Sequence, residues 1–334
     1  MQKHTKDADR LRKIVEAFPN VTVTVLGDLV ADEFVFGEIA RVSREAPVLI
    51  LKHRERTVVP GGGANAVYNL ADLGVNVLPV GVVGTDEPGR RLLQAFRRKH
   101  IPLSGIVKRK GYTTVTKTRI LAGTAHSPRQ QVVRVDREPE PIDTGHAAVL
   151  VDLAREYAKV SEALLVSDYG YGAATPGLLA QLRRTGALDG VIVTLDSRYR
   201  LLEYSGVTAA TPNEPEIEEA LRIRIGKDTA PLLEAGRTVL ERMKLNSLVI
   251  TRGRDGMVAF QRKHKPIEIP ISGSDQVADV TGAGDTVIAT FTAALAAGAD
   301  TESAARLANY AGGIVVMKRG TATVTRAELL AAIG

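Results

Sequence analysis

The chain contains no cysteine and no tryptophan, and only 4% of its 334 residues are aromatic. Without cysteine there is neither a disulfide framework nor a thiolate metal site. The six histidines form no H-x2–4-H pair, so zinc is not expected. The longest apolar stretches fall far short of the ~18–20 residues a membrane span needs. Residues 1–20 are mixed and charged, with Leu11, Ile14, Val15 and Phe18 at helical spacing. They read as an amphipathic surface helix; a signal peptide would need an apolar core. A cytoplasmic protein without membrane contact is expected. Net charge is +6, from 44 basic and 38 acidic residues. The basic clusters (Arg90-Arg91, Arg97-Arg98-Lys99, Arg183-Arg184) fall in predicted helices, and no basic groove with interleaved aromatics occurs. Nucleic acid is therefore not an expected partner, whereas small anionic substrates suit the charge. No G-x4-G-K-[S/T] sequence occurs either, which excludes a P-loop.

What remains is an ordinary globular composition, 44% hydrophobic and 25% charged, long enough for one or two domains. Val21 to Leu26 is a short β-branched run ending at Gly27-Asp28. Strand-like segments follow at 34–42, 48–59, 106–121 and 131–136, with a helix after Gly61-Gly62-Gly63, a buried strand at 75–83 and a helix at 88–100. From residue 144 helices and strands alternate: helix 144–159, strand 163–167, helix 176–185, strand 190–195, helices near 214–221 and 228–243, strand 247–251. Strands around 256–271 and helices 284–297, 301–317 and 326–332 complete the pattern. Such alternation predicts a parallel sheet covered on both faces. The early strand pairs break the rhythm and predict a small separate β element.

The most informative run is Asp279-Val280-Thr281-Gly282-Ala283-Gly284-Asp285, directly before an apolar helical segment. Gly282, Ala283 and Gly284 predict a helix N-terminus whose backbone N–H groups form an anion hole. Asp285 would repel a resting phosphate there, unless it takes a proton from a nucleophile attacking one, as in phosphoryl transfer to an alcohol. The run alone leaves open an ordinary acidic residue at a helix start. Pro60-Gly61-Gly62-Gly63-Ala64-Asn65 lets backbone approach a ligand closely, with Asn65 as donor and acceptor, or forms a tight turn. Asp32 could accept from paired hydroxyls. Asn213 and Glu216, three apart, suit a hydrated Mg²⁺ beside phosphates, and equally a capping box. Lys117 and Arg119 share a strand face near Arg134, as a phosphate-binding wall or as solvated charges. Gly170-Tyr171-Gly172-Ala173-Ala174-Thr175 imitates a dinucleotide fingerprint, with Asp196 ending the next strand. Thr175 in the third glycine position, Pro176 after it and Asp168 at the strand end all argue against that reading.

Together the two glycine loops, in this order, resemble the ribokinase (phosphofructokinase-B) superfamily of sugar kinases over roughly residues 20–330. Within it, Val42-Ser43-Arg44-Glu45-Ala46-Pro47-Val48, Thr116-Lys117-Thr118-Arg119, Arg134-Val135-Asp136, Ser167-Asp168-Tyr169 and Gly320-Thr321-Ala322-Thr323-Val324 are similar to the heptose 7-phosphate kinases, the kinase half of bifunctional ADP-heptose synthesis proteins. The resemblance implies a ribokinase-like three-layer α/β/α fold with a mostly parallel sheet. One kinase domain would span 1–334, with a β lid from strands within about 33–59 and 106–136. It implies Asp285 as base and residues 282–284 as anion hole. Asp32, Gly62, Gly63, Asn65 and Asp168 would lie on the sugar side, and Arg44, Lys117, Arg119 and Arg134 would form a cationic wall for a phosphate tail. Thr251, Gly253, Gly256 and Asn309 would line the nucleotide, Asn213 and Glu216 would organise Mg²⁺, and Asp279 and Thr281 would form a monovalent-cation loop. ATP, Mg²⁺ and K⁺ are the implied cofactors, a sugar phosphate the partner, and a lid-mediated homodimer the assembly. The implied reaction is phosphorylation of the anomeric hydroxyl of a heptose 7-phosphate. The alternatives are a kinase for fructose or fructose 6-phosphate, or a sugar sensor without turnover. The chain departs from the heptose-kinase pattern at Glu33-Phe34-Val35-Phe36, at Tyr171 and at Asp196-Ser197-Arg198. No H-x-G-H occurs, so a nucleotidyltransferase half is not expected in this sequence.

Overall fold

The computed structural model describes residues 2–123, 130–226, 228–273 and 278–334. The strands are β1 (Thr22–Gly27), β2 (Leu29–Val42), β3 (Leu49–Gly62), β4 (Asn76–Gly84), β5 (Ile106–Arg109), β6 (Thr116–Gly123) and β7 (Gln130–Arg137). They continue with β8 (Ala163–Asp168), β9 (Ile192–Ser197), β10 (Ala209–Ala210), β11 (Ser247–Thr251), β12 (Met257–Gln261) and β13 (Ile267–Ile269). The helices are α1 (Gln2–Glu16), α2 (Gly63–Asp72), α3 (Glu87–Arg98), α4 (Thr144–Ala158) and α5 (Pro176–Arg184). After them come α6 (Glu214–Leu221), α7 (Thr229–Arg242), α8 (Ala283–Ala296), α9 (Thr301–Val315) and α10 (Arg326–Ile333).

A nine-stranded sheet runs in the order β13-β12-β11-β10-β9-β8-β1-β4-β5. It is parallel from β11 through β5, and β12 and β13 are added antiparallel. All six residues of β8, Ala-Leu-Leu-Val-Ser-Asp, are buried, because a parallel strand covered on both faces has no wet side. Ala163 and Leu165 join an apolar layer that includes α2, α3, α8 and α9. Leu164 and Val166 join the opposite layer, with α4, α5 and α7. Truncating Leu164, fully buried, to alanine should cost about 2–5 kcal/mol. Strand order reverses between β1 and β8, which places a crevice at their C-terminal ends. Asp28, Asp168, Ser197 and Thr251 stand at or just past the ends of β1, β8, β9 and β11 respectively.

The early strands form a second sheet, ordered β3-β2-β6-β7. Only Asp28 separates β1 from β2, and β3 passes straight into α2, so the β2–β3 hairpin is rooted at both ends in the crevice. In register, Asp32 pairs with Lys117 and Phe34 with Arg119, while Arg119 pairs with Arg134. Phe34 and Phe36 of β2 face residues 278–279 and 319–321 across a cavity of about 570 Å³. On the other face Val133 and Val135 are about half exposed, at 46% and 48%.

The strand expected over 106–121 divides in two. Ile106–Arg109 pairs with β4 at the edge of the large sheet, and only the part from Thr116 onward enters the small one. The break has a local cause. Gly111 takes φ +78°, Tyr112 tucks into the core, and Asp86 captures both the N–H and the hydroxyl of Thr114.

Candidate active site

Helix α8 has no side-chain cap, and Gly282 before it sits at φ 78°. Of the expected anion-hole donors, the Ala283 N–H is spent on the Val280 carbonyl at 3.2 Å. Gly282 and Gly284 keep theirs unbonded among the described residues, at the positive end of a 14-residue helix. Asp285, 2% exposed in the first turn, is gripped from two sides. Asn65, on α2, donates Nδ2–H to its Oδ2 at 2.8 Å, and Tyr169, just past β8, donates its phenol to Oδ1 at 2.7 Å. Burial pushes the Asp285 carboxyl up to about 8; Asp196 and Asp32 add to the rise, and the two donors oppose it. A carboxylate titrating near neutrality beside unbonded N–H groups is arranged for proton abstraction next to developing negative charge.

Around it lies a cavity of about 220 Å³ lined by Tyr169, Asp196, Arg198, Thr211, Asn213, Glu216 and Asp285, among others. Burial lifts Asp196 to about 8, and the Glu216 and Asp168 carboxylates push it further. Glu216 is raised as well, chiefly by burial. Thr211 presents a buried hydroxyl without a partner among the described residues. A second cavity of about 180 Å³ shares Thr251, Val280 and Gly284 with the first, and is walled by Met257, Ile271, Val287, Gly312 and Val316. An apolar slot thus opens into a polar, carboxylate-lined chamber through the mouth of α8.

The profile described as pfkB family carbohydrate kinase matches residues 29–328. The chain belongs to the pfkB family of carbohydrate kinases. It is 40% identical over 317 residues to the bifunctional protein HldE of Geobacter metallireducens, covering 94% of this chain and 63% of that protein. It is 37% identical over 339 residues to HldE of Mesorhizobium japonicum, covering 100% and 66%. The chain thus spans about two thirds of the length of these curated relatives. Phosphofructokinase-2 from Escherichia coli in complex with potassium superposes with a TM-score of 0.76 at 16% identity, covering 94% of this chain and 98% of the other. Ribokinase from Arabidopsis thaliana complexed with ribose and ATP superposes with a TM-score of 0.72 at 20% identity, covering 94% and 98%. The fold is ribokinase-like, as the resemblance implied, and the protein is a sugar kinase.

In this pfkB-family kinase the structure brings together Asp285, Gly282, Gly284, Asn213 and Glu216 in one chamber. Thr251, Gly253, Gly256 and Asn309 line the apolar slot. The capping box also forms. Asn213 Oδ1 accepts from the Glu216 N–H, and a Glu216 oxygen accepts from the Asn213 N–H, both at 2.9 Å. Each side chain keeps a second polar atom for the chamber. Among the described residues no three acidic, His or Cys side chains form a self-contained metal site. Two buried carboxylates, Asp196 and Glu216, the second of which raises the first, beside a hydroxyl unpartnered among the described residues, nonetheless fit a hydrated Mg²⁺ shared with phosphates.

Other expected site residues are engaged elsewhere. Asp168 accepts from the Gly170 N–H, Ser197, Arg200 and Tyr204; its lone pairs are consumed within the protein, so it braces the wall and does not reach for sugar. Arg119 donates to Asp32 at 2.6 Å, and Arg134 is bidentate to Asp136 at 2.9 Å. Arg44 lies in the turn between β2 and β3, exposed, about 40 Å along the strand from Asp32, and is not brought to the site. Among the described residues Lys117 has no ion-pair partner, and it lies over the rings of Tyr169 and Tyr171 at 5.3 and 5.8 Å. Its ammonium is lowered by burial and by Arg198. Asp279 accepts from the Thr281 and Gly320 N–H groups, which fixes its loop. Gly62 and Gly63 pack against Asp28, beneath Asn65.

Sequence reasoning did not assign Tyr169, Asp196 or Arg198 to the site. Asp196 at a parallel strand's C-terminal end was the available signal. The fingerprint-like loop has a different occupant. The N–H groups of Tyr169, Tyr171 and Ala173 converge on the Asp28 carboxylate at 2.8–2.9 Å, with Gly170 at φ +86° and Gly172 at φ +100°. It is an anion nest filled by the chain's own side chain.

Proposed function

We propose that this kinase transfers the γ-phosphoryl group of ATP to the anomeric hydroxyl of a heptose 7-phosphate, a cytoplasmic step towards ADP-heptose and the glycans built from it. The observation that carries the reading is the buried Asp285 carboxylate, held by Asn65 and Tyr169 beside the uncapped mouth of α8. Asp285 takes the hydroxyl proton as the oxygen attacks, and the free N–H groups of Gly282 and Gly284 meet the charge that develops. The nucleotide base occupies the apolar slot between Gly256 and Asn309, and its phosphates enter the chamber. Asp196, Glu216 and Asn213 hold Mg²⁺, which neutralises phosphate charge when bound. A monovalent cation, K⁺, is assigned to the loop of Asp279 and Thr281.

The sugar lies between Asp285 and Asp32, under the second sheet. Lys117 and Arg198 carry no ion-pair partner among the described residues and serve a phosphate tail better than the paired Arg119 and Arg134. The likeness to heptose 7-phosphate kinases at residues 116–119 and 167–169 supports the same acceptor. A homodimer joined through the small sheet would cover Val133 and Val135. The test is ADP release measured over a panel of free and phosphorylated sugars. Turnover of a heptose 7-phosphate above all others is expected; faster turnover of fructose, fructose 6-phosphate or ribose would overturn the acceptor assignment, and no turnover with any sugar would overturn the whole reading.

A further inference from the structure

We infer that Tyr169 is a positioning residue for the base: it orients the Asp285 carboxylate and stabilises its charged form, and the Asp28 nest exists to hold Tyr169 there. The inference rests on Asp285 being the base of the proposed reaction. Three observations carry it. The Tyr169 phenol donates to Asp285 Oδ1 at 2.7 Å, while Asn65 takes the other oxygen. A phenol has one proton to donate, so this bond fixes both the ring and the carboxylate plane.

The backbone that carries Tyr169 is itself immobilised. Its own N–H and those of Tyr171 and Ala173 all end on the two oxygens of Asp28. Two glycines at positive φ make that convergence possible, and an added side chain at Gly170 would meet the Tyr199 ring at 3.3 Å. Three backbone donors on one buried carboxylate, one residue past β1, form a rigid mount for a single side chain. Above the ring lies Lys117 of β6, at 5.3 Å, so the residue under the base's donor also contacts the second sheet.

The charged groups facing the pair come from every side. Asp196 of β9 and Asp32 of β2 act on Asp285, Glu216 of α6 acts on Tyr169, and Lys117 covers the ring. Asp196 and Asp32 disfavour a charged Asp285, and the Tyr169 and Asn65 donors favour it. A donor to a buried carboxylate is a charge-assisted bond, so its loss should move the base by about one pH unit.

The experiment is the pH profile of kcat for two forms of the full chain. Tyr169→Phe should shift the acid limb upward by about one unit and lower kcat near pH 7 by about tenfold, with KM for ATP within about threefold. Replacing Tyr169 by 3,5-difluorotyrosine, a stronger donor of nearly the same shape, should shift the limb downward. If neither profile moves, the inference is overturned, and a uniform loss at every pH would mark a merely structural role. Should the phenylalanine variant fail to fold, the direction of the fluorinated form decides alone. Asp285→Asn, assayed alongside, separates the two readings: turnover retained in it refutes the base itself, whereas turnover abolished in it with unmoved Tyr169 profiles refutes only the inference drawn here.

Discussion

Asp285→Asn should abolish turnover and, as pH rises from about 5 towards 8, make the ligand-free protein progressively more stable than the parent. The carboxyl titrates at 3.8 in an ordinary setting and at about 8 in the fold. Below 3.8 both folded and unfolded chains hold the proton, and the group contributes nothing to the pH dependence. As pH rises the unfolded chain releases its proton while the native state keeps it, and each unit costs the fold about 1.4 kcal/mol. At pH 7 the penalty approaches about 4 kcal/mol as an upper bound, and it levels off near the folded pKa. An amide carries no charge, so the variant escapes it. Against that, the amide's NH2 faces one of the two donors, at a cost of about 1–2 kcal/mol. A net gain of about 2–3 kcal/mol at pH 7 and none at pH 4 should result. Part of the gain is shared with Asp196, whose charge raises Asp285, so adding an Asp196 substitution should yield less than a second full increment. Urea unfolding of both proteins at pH 5 and pH 8, without nucleotide, measures the difference. Activity should fall by several orders of magnitude with ATP affinity within about tenfold. A variant whose relative stability does not improve between pH 5 and pH 8 would refute the reasoning.

Four further outcomes are expected. Gly282→Ala should lose about 1–3 kcal/mol and most of its turnover, since φ is +78° and the new Cβ would sit 2.5 Å from Asn65 Nδ2; an unchanged melting curve would contradict it. Lys117→Ala should raise KM for a sugar phosphate far more than KM for ATP, and equal changes in both would count against the tail assignment. K⁺ should raise the rate over Na⁺ or Li⁺, an effect missing if rates are equal after all monovalent cations are removed. Sedimentation should show a dimer at micromolar concentration that Val133→Lys weakens, and a fully active monomer would exclude it.

The parts of the site written in contiguous residues were legible. Gly282 to Asp285 before an apolar helix, and Asn65 after three glycines, announce themselves because helix starts and tight turns are local events. Partnerships made across the sheet were not. That Arg119 is consumed by Asp32 depends on the parallel pairing of β2 with β6, and nothing near either residue fixes that register. The engagement of Asp168 was hidden because its partners Ser197, Arg200 and Tyr204 come from a later βα unit. The loop at Gly170 showed the backbone of an anion nest, but its occupant lies at the end of β1, far away in sequence. The strand expected over 106–121 failed where a core tyrosine and a captured threonine outweighed β propensity.

The hairpin of β2 and β3 is a lever with its fulcrum at the reaction. Fourteen residues of extended chain in β2 reach about 45 Å, and both arms start beside Asp28 and Gly63. A tilt of about 10° at that root sweeps the far turn, with Arg44, through about 8 Å, yet moves Asp32 by only about 2 Å and the root hardly at all. Wide excursions of the outer sheet would therefore leave the grip on Asp285 still. Substitutions along the hairpin should be felt in proportion to their distance from the fulcrum. Near the turn they alter how fast the mouth opens, and near the root they alter the chemistry itself.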